Sequence, residues 1–207
     1  MTAVTKNTES RRERKKATVR SQIITTGIEL FVRYGITEVT VDQIAEAADI
    51  GKGTVYNYFQ TKEDIVVGFM MDLEHQVQAQ LHGFTSSNRR LDAILIDFLR
   101  LQFRLKSRHH KFVRVFLSQM FSRTEQFYPY MVEMQRAIDL PLEKLFRSLQ
   151  DRGMIRGDVN LPDLIQIFKT IHLGLTALWA IEGPPFRRTE RTLRQQLKLF
   201  CEGLEAS

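Results

Sequence analysis

Between Thr40 and Phe59 the chain reads TVDQIAEAADIGKGTVYNYF, two short helical patterns on either side of a three-residue break. Few folds accommodate that spacing. Thr40 and Gln43 form a capping box, the threonine oxygen accepting from the Gln43 amide while the glutamine reaches back, so a helix begins here. Ile44, Ala45 and Ala48 give this helix an apolar face, Asp49-Ile50-Gly51 makes the turn, and Lys52 to Tyr58 forms the next helix. A helix of that length is not stable by itself and has to be held by its neighbours. Residues four apart share a face, so Val55 and Phe59 form the stripe that packs on Ile44, Ala45 and Ile50. The remaining stripes pair Gly53 with Asn57, Lys52 with Tyr56 and Thr54 with Tyr58. A purely structural aromatic plug would account for the tyrosines, but it needs no lysine, glycine, threonine and asparagine on its outer faces.

The chemistry of those outer stripes suits duplex DNA. Lysine and tyrosine side chains donate to phosphate oxygens, which assigns Lys52, Tyr56 and Tyr58 to the backbone, with Lys62 and Thr40 adding contacts at either side. Gly53 permits close approach of the helix backbone. Thr54 and Asn57 are placed for base edges in the major groove, asparagine offering the donor–acceptor pair that matches adenine. Upstream, residues 1–20 carry seven basic side chains against Glu9 and Glu13, nearly the whole of the net charge of +6. This run is read as an arm, residues 1–16, that either meets phosphates or is simply solvated.

Helical periodicity continues along the chain. Val19, Ile23, Ile24, Ile28, Phe31 and Tyr34 predict a first helix over 17–34 that Gly35 ends at positive φ. Thr61 with Glu63 and Asp64 opens a fourth helix, in which Phe69, Leu73, Val77 and Leu81 recur over some five turns. After a TSSNRR loop, five further helices are expected at about 88–107, 110–122, 128–151, 162–182 and 189–204, with a kink at Pro141. No β alternation or internal repeat is present, so the fold class is all-α with about nine helices.

Residues 30–65, LFVRYGITEVTVDQIAEAADIGKGTVYNYFQTKEDI, resemble the DNA-binding domain of the TetR (tetracycline-repressor) family of bacterial regulators. The resemblance rests on Leu30-Phe31, Tyr34-Gly35, Thr40-Val41, Ile44-Ala45, Ala48, Ile50, Gly51-Lys52-Gly53-Thr54, Val55-Tyr56, Tyr58-Phe59 and Lys62-Glu63. It departs at Asp49-Ile50-Gly51, where the family more often has a glycine, an aliphatic and a serine. The resemblance implies a three-helix helix-turn-helix domain over 17–63, with its reading unit at 40–59, followed by an effector-binding and dimerisation domain over 64–207. It further implies a homodimer on a near-palindromic operator, repressing until a lipophilic small molecule releases it, without a cofactor.

The residues themselves bear on the second domain. Leu164, Phe168, Ile171, Leu175 and Leu178 recur at spacings of 4, 3, 4 and 3, and Leu193, Leu197, Phe200 and Leu204 repeat the idea. Such seams suit a dimer interface of two helices per subunit, or else the subunit's own core. Twelve of the fourteen phenylalanines and six of the seven methionines follow residue 65, enough for a dense core or an apolar cavity. Phe103, Phe116, Met120, Met134, His172 and Trp179 are the candidate lining. The five histidines show no metal-ligand spacing, no nucleophile elbow is present, and KSRHHK at 106–111 reads as a solvated corner, so no enzyme and no metal site is expected. A ligand-independent DNA-binding regulator or DNA-organising protein is the alternative, and a helical enzyme or small-molecule carrier a more distant one. The single cysteine, Cys201, fits a reducing cytoplasm. No apolar run is read as long enough for a membrane span, which takes about 20 residues.

Overall fold

The computed structural model describes residues 10–204 apart from 88 and 123, so the outer part of the basic run lies outside the described residues. The described chain is helical throughout and divides into two compact units, residues 1–68 and 69–207.

The first unit is built on α1 (Arg11–Tyr34), α2 (Val41–Ala47), α3 (Lys52–Tyr56) and the opening turns of α4 (Lys62–Ala79). Helix α1 starts six residues earlier than the apolar pattern predicts. Ser10 and Glu13 form a capping box of the same kind as Thr40 and Gln43, with Ser10 Oγ accepting from Glu13 N and Glu13 Oε2 accepting from Ser10 N. Arg11, Arg12, Arg14, Lys15 and Lys16 are therefore exposed residues of α1's first turns, and the arm's inner part is helix. Ile23, Ile24, Gly27, Ile28 and Phe31 form its buried stripe, whereas Tyr34, expected in that stripe, is 56% exposed. Gly35 ends the helix at φ +87° with its N–H on Phe31 O, as expected.

Helix α2 ends in a Schellman motif. Ile50 N donates to Ala45 O and Asp49 N to Glu46 O, and Gln22 Nε2 from α1 donates to the Ala48 carbonyl at 2.8 Å. The motif requires positive φ at Asp49, which takes φ +52°. This is the position at which the TetR pattern favours glycine. Aspartate is among the few other residues that enter the left-handed region at modest cost.

The second unit is built on α5 (Leu81–Thr85), α6 (Leu91–Lys106), a 3-10 turn (Ser107–His109), α7 (His110–Ser122), α8 (Thr124–Asp151), α9 (Leu161–Glu182) and α10 (Arg187–Glu202), with the later turns of α4. The predicted fourth helix is interrupted at Gln80, which separates α5 from α4 and adds one helix to the nine expected. Helix α8 runs unbroken past Pro141, although the missing N–H costs helix stability. Leu142, Leu145, Phe146 and Leu149 just beyond it are all buried, and that burial holds the helix together. Helix α10 begins two residues before the predicted start because the Glu182 carboxylate, from the end of α9, accepts from Arg188 N and Thr189 N. The core joins Phe98, Phe146, Phe168 and Trp179 with aliphatics of α6 to α10.

Helix α9 corrects the membrane reading. Its mean hydropathy reaches 1.5, long and apolar enough on composition to span a bilayer. Leu164, Phe168, Leu175 and Trp179 on this helix are buried in the second unit, so one of its faces belongs to the core of that unit.

Candidate DNA-reading surface and effector cavity

Within the first unit, Val55 and Phe59 are buried and fix α3 on the core, as the spacing predicts. Lys52, Gly53, Thr54, Tyr56 and Asn57 are exposed together, and Tyr58 is half-buried. The assigned helix ends at Tyr56, but Asn57 keeps helical backbone angles and its N–H reaches Gly53 O at 3.2 Å, so Asn57 remains one turn above Gly53. A Cβ built on Gly53 would meet nothing within 4 Å. The fold therefore does not demand glycine there.

Two expected phosphate donors are already engaged. Lys52 Nζ lies 2.6 Å from Asp42 Oδ2, and Tyr56 Oη donates to Asp42 Oδ1 at 3.3 Å, so one carboxylate of α2 holds both side chains of that α3 stripe. The hydrogen bond from Lys52 keeps the Asp42 carboxyl below its usual range, and Asp42 in turn raises Lys52. Lys52 and Asp42 are both solvated, so the ion pair between them is a weak one. Lys62 is different. The side chain is half-buried, and its ammonium donates to Thr37 O at 2.7 Å and Val39 O at 3.1 Å, bracing the loop before α2. The Thr40 hydroxyl is exposed and serves the α2 cap.

In the second unit, a cavity of about 260 Å³ brings together Phe116, Met120, Met134 and His172 of the predicted lining, along with Met70, Leu117 and Ile138. Phe103 and Trp179 do not belong to it. Their rings stack 5.8 Å apart and line a separate cleft beside Pro185, Phe186 and Arg100.

The sequence reading missed the polar side of the cavity. Lys106, the last residue of α6, is 4% exposed and lines it, so the supposed solvated corner is solvated only in part, with Arg108 and Lys111 exposed and Ser107, His109 and His110 half-buried. His109 packs edge-on against Phe69, and His110 against Trp179 and Phe186. Lys106 Nζ donates to Gln102 Oε1 at 3.4 Å, and burial lowers its pKa while the Glu74 carboxylate opposes that shift through space. Glu74, itself 7% exposed, is pushed up by burial. His172 is held well below its usual range by burial and by the Lys106 charge, and its buried Nε2 has no hydrogen-bond partner. Lys169 also lines the cavity, 2.6 Å from Asp139 Oδ1. Among the described residues, no group of three or more His, Cys, Asp or Glu side chains could hold a metal.

The predicted dimer seams are used differently. Leu164, Phe168, Leu175, Leu193, Leu197 and Leu204 are buried in the subunit's own core, with Ile171 and Phe200 packed against it. Leu178 is half-buried. The 4-3 spacing thus marks the inward faces of α9 and α10. Ile167, Leu173 and Ile181 of α9 and Leu199 of α10 stand exposed instead, Ile181 at 76% and Leu199 at 70%.

Comparison with known proteins agrees with this architecture. Residues 23–68, which hold most of the first unit, match the model of bacterial regulatory proteins of the tetR family. The HTH-type transcriptional regulator SrpR of Pseudomonas putida is 22% identical over 202 residues, covering 87% of this chain and 94% of SrpR. The fold of FadR from Thermus thermophilus, a TetR-family transcriptional repressor solved with lauroyl-CoA, superposes with a TM-score of 0.69 at 20% identity, over 91% of this chain and 96% of FadR. SmeT, solved in complex with triclosan, superposes with a TM-score of 0.70 at 17% identity, over 92% and 93% of the two chains. The chain thus carries a DNA-binding domain of the tetR family at residues 23–68, and the helical fold that follows is one it shares with TetR-family regulators of known structure.

Proposed function

We propose that the protein is a homodimeric repressor that holds a near-palindromic operator through α3 and is released by a lipophilic small molecule bound in the second unit. The observation that carries the DNA part is the exposed set Lys52, Gly53, Thr54, Tyr56 and Asn57, held on a helix too short to serve the core. Lys52 and Tyr56 trade Asp42 for phosphates, while Thr54 and Asn57 read bases. One such helix offers few contacts, and a two-fold pair placed in successive major grooves doubles them. Ile167, Ile181 and Leu199, joined by half-buried Ile171 and Leu178, supply the apolar surface for that pairing.

The apolar cavity supports the effector part, as does the finding that FadR and SmeT were solved with lauroyl-CoA and triclosan. Met70, which lines the cavity, belongs to α4, the helix that begins at Lys62 after the reading unit. A ligand that prefers one tilt of α4 changes the spacing of the two heads, which has to match grooves roughly 34 Å apart. Such a repressor works in the cytoplasm, on nucleoid DNA.

Selection from a randomised duplex pool with the full chain tests the reading. The expected outcome is a two-fold symmetric motif whose preferred bases change in Thr54→Ala or Asn57→Ala. Recovery of unselected sequence would leave the protein a DNA-organising factor. Ile181→Glu is expected to give a monomer in light scattering with loss of specific binding. An unchanged dimer would move the interface elsewhere.

A further inference from the structure

The cavity between α4, α6, α7, α8 and α9 is apolar on most of its wall but not neutral. Its polar lining includes Lys106, Lys169 and His172, and none of the described residues lining it is an aspartate or glutamate. Lys169 has its charge answered by Asp139 at 2.6 Å. Among the described residues, Lys106 does not have an equivalent partner. It is 4% exposed, an ammonium has three protons to donate, and its hydrogen bond to Gln102 Oε1 is long at 3.4 Å. Burying an ammonium is costly unless it is paired and hydrogen-bonded. The Glu74 carboxylate eases that cost only through space, and is itself driven toward its neutral form by burial.

His172, which lines the same cavity, repeats the pattern. Its Nε2 is buried without a partner, an arrangement that folded proteins seldom tolerate without a reason. A neutral imidazole with its proton on Nε2 is a donor, and burial, with the neighbouring Lys106 charge, keeps the ring neutral. A buried cation and a buried donor thus serve one cavity whose other walls are Met70, Phe116, Met120 and Ile138.

We propose that this cavity is built for a lipophilic monocarboxylate, its carboxylate seated on Lys106 Nζ and His172 Nε2–H and its apolar body against the methionine and phenylalanine wall. This deepens the proposed function, since it rests on the cavity being the effector site. A carboxylate brings two oxygens with about four lone-pair directions, which meets both donors at once. An acyl thioester presents a neutral carbonyl and leaves the ammonium without its counter-charge. The volume of about 260 Å³ lies just below the roughly 300–1,000 Å³ that small-molecule sites occupy, which suits a medium-length acid.

The test uses the full-length protein and calorimetric titration with octanoate, decanoate and dodecanoate, each beside its methyl ester. At least one acid is expected to bind about tenfold or more tightly than its ester, the scale of one charge-assisted hydrogen bond. Lys106→Met is expected to erase that preference while keeping ester binding. If the acid and its ester bind equally, the carboxylate assignment is overturned and the apolar effector site stands. If no acid and no ester binds, the effector reading itself fails along with the assignment. Carbon-13 NMR of decanoate labelled at its carboxyl, bound to the unaltered protein, gives a measurement independent of any variant. The bound carboxyl is expected to titrate below the free acid, and titration at or above the free value would overturn the seat on Lys106.

Discussion

Replacing Gly27 by alanine sets two effects of known sign against each other inside the reading unit. A Cβ at this position would lie 2.9 Å from Ile65 Cγ2 and 3.5 Å from Ile44 Cδ1. Carbon atoms pack best at about 3.5–4.0 Å, so the first approach is short by more than half an ångström. Ile65 is fully buried, and Cγ2 is the methyl nearest its backbone, which a helical β-branched side chain does not swing aside. Helices α1 and α4 have to separate locally, an overpacking cost of about 1–3 kcal/mol. Against it stands a gain of about 1 kcal/mol for alanine over glycine in a helix interior. The net expectation is a loss of about 0–2 kcal/mol. Ile65→Leu moves the offending methyl off Cβ at a cost below about 1.5 kcal/mol. In that background Gly27→Ala is expected to be stabilising by about 1 kcal/mol, giving a coupling of about 1–3 kcal/mol between the two sites. Native-state hydrogen exchange of the α1 and α4 amides in the four proteins measures this within the reading unit alone. If Gly27→Ala stabilises equally in both backgrounds, the contact has slack and the argument fails.

Other outcomes follow from the same kind of reasoning. Gly53→Ala is expected to raise the stability of the reading unit by up to about 1 kcal/mol, since its Cβ enters open space, and to lower DNA affinity in an anisotropy titration. Undiminished affinity would remove Gly53 from the interface. Asp49→Gly, which relieves the φ of +52°, is expected to be neutral or stabilising in urea denaturation, and Asp49→Val to cost about 1–2 kcal/mol. Equal stabilities would show that the turn tolerates any residue. Arg100 pairs with Glu190 of α10 and with Asp97; its hydrogen bond holds the Glu190 carboxyl below the usual range, and the bonds from Arg89 and then Arg100 do the same for Asp97. A depressed carboxyl stabilises above its unfolded value, near pH 4, and loses that contribution as pH falls through the folded value. Arg100→Met is therefore expected to lower the melting temperature at pH 7 and to flatten its decline between about pH 4 and 2. An unchanged acid limb would remove this pair from the pH response.

The parts of the fold that were legible in the sequence are those whose physics is local. The Thr40–Gln43 box, the Gly35 stop and the Val55/Phe59 stripe each involve residues within one or two turns, and each stands where the spacing places it. The Ser10–Glu13 box was equally local and was obscured by the basic run around it. The seams on α9 were ambiguous for a physical reason. That helix carries interlocked apolar stripes, Leu164, Phe168 and Leu175 facing inward and Ile167 and Ile181 outward, with Ile171 and Leu178 between them. A helix apolar on nearly all sides gives no sequence cue as to which stripe meets its own core. Lys106 was hidden more completely. Its neighbours Arg104 and Arg108 are exposed, and only contacts with helices distant in sequence bury it. His172, by contrast, was recognisable as a polar residue in an apolar helix, a local contrast that needed no partner to be seen.

The brace made by Lys62 bears on where mechanical compliance can reside. Its ammonium ties the first residue of α4 to the loop carbonyls that precede α2. Six residues on, Gly68 is packed against Phe59 and Arg20, and a Cβ there would come within 3.0 Å of the Phe59 ring. The opening turns of α4 are thus fastened at both ends to the framework that carries α3. A torque applied further along α4 finds no soft joint at the start of the helix. Within the first unit, α3 and the opening turns of α4 therefore respond as one stiff piece.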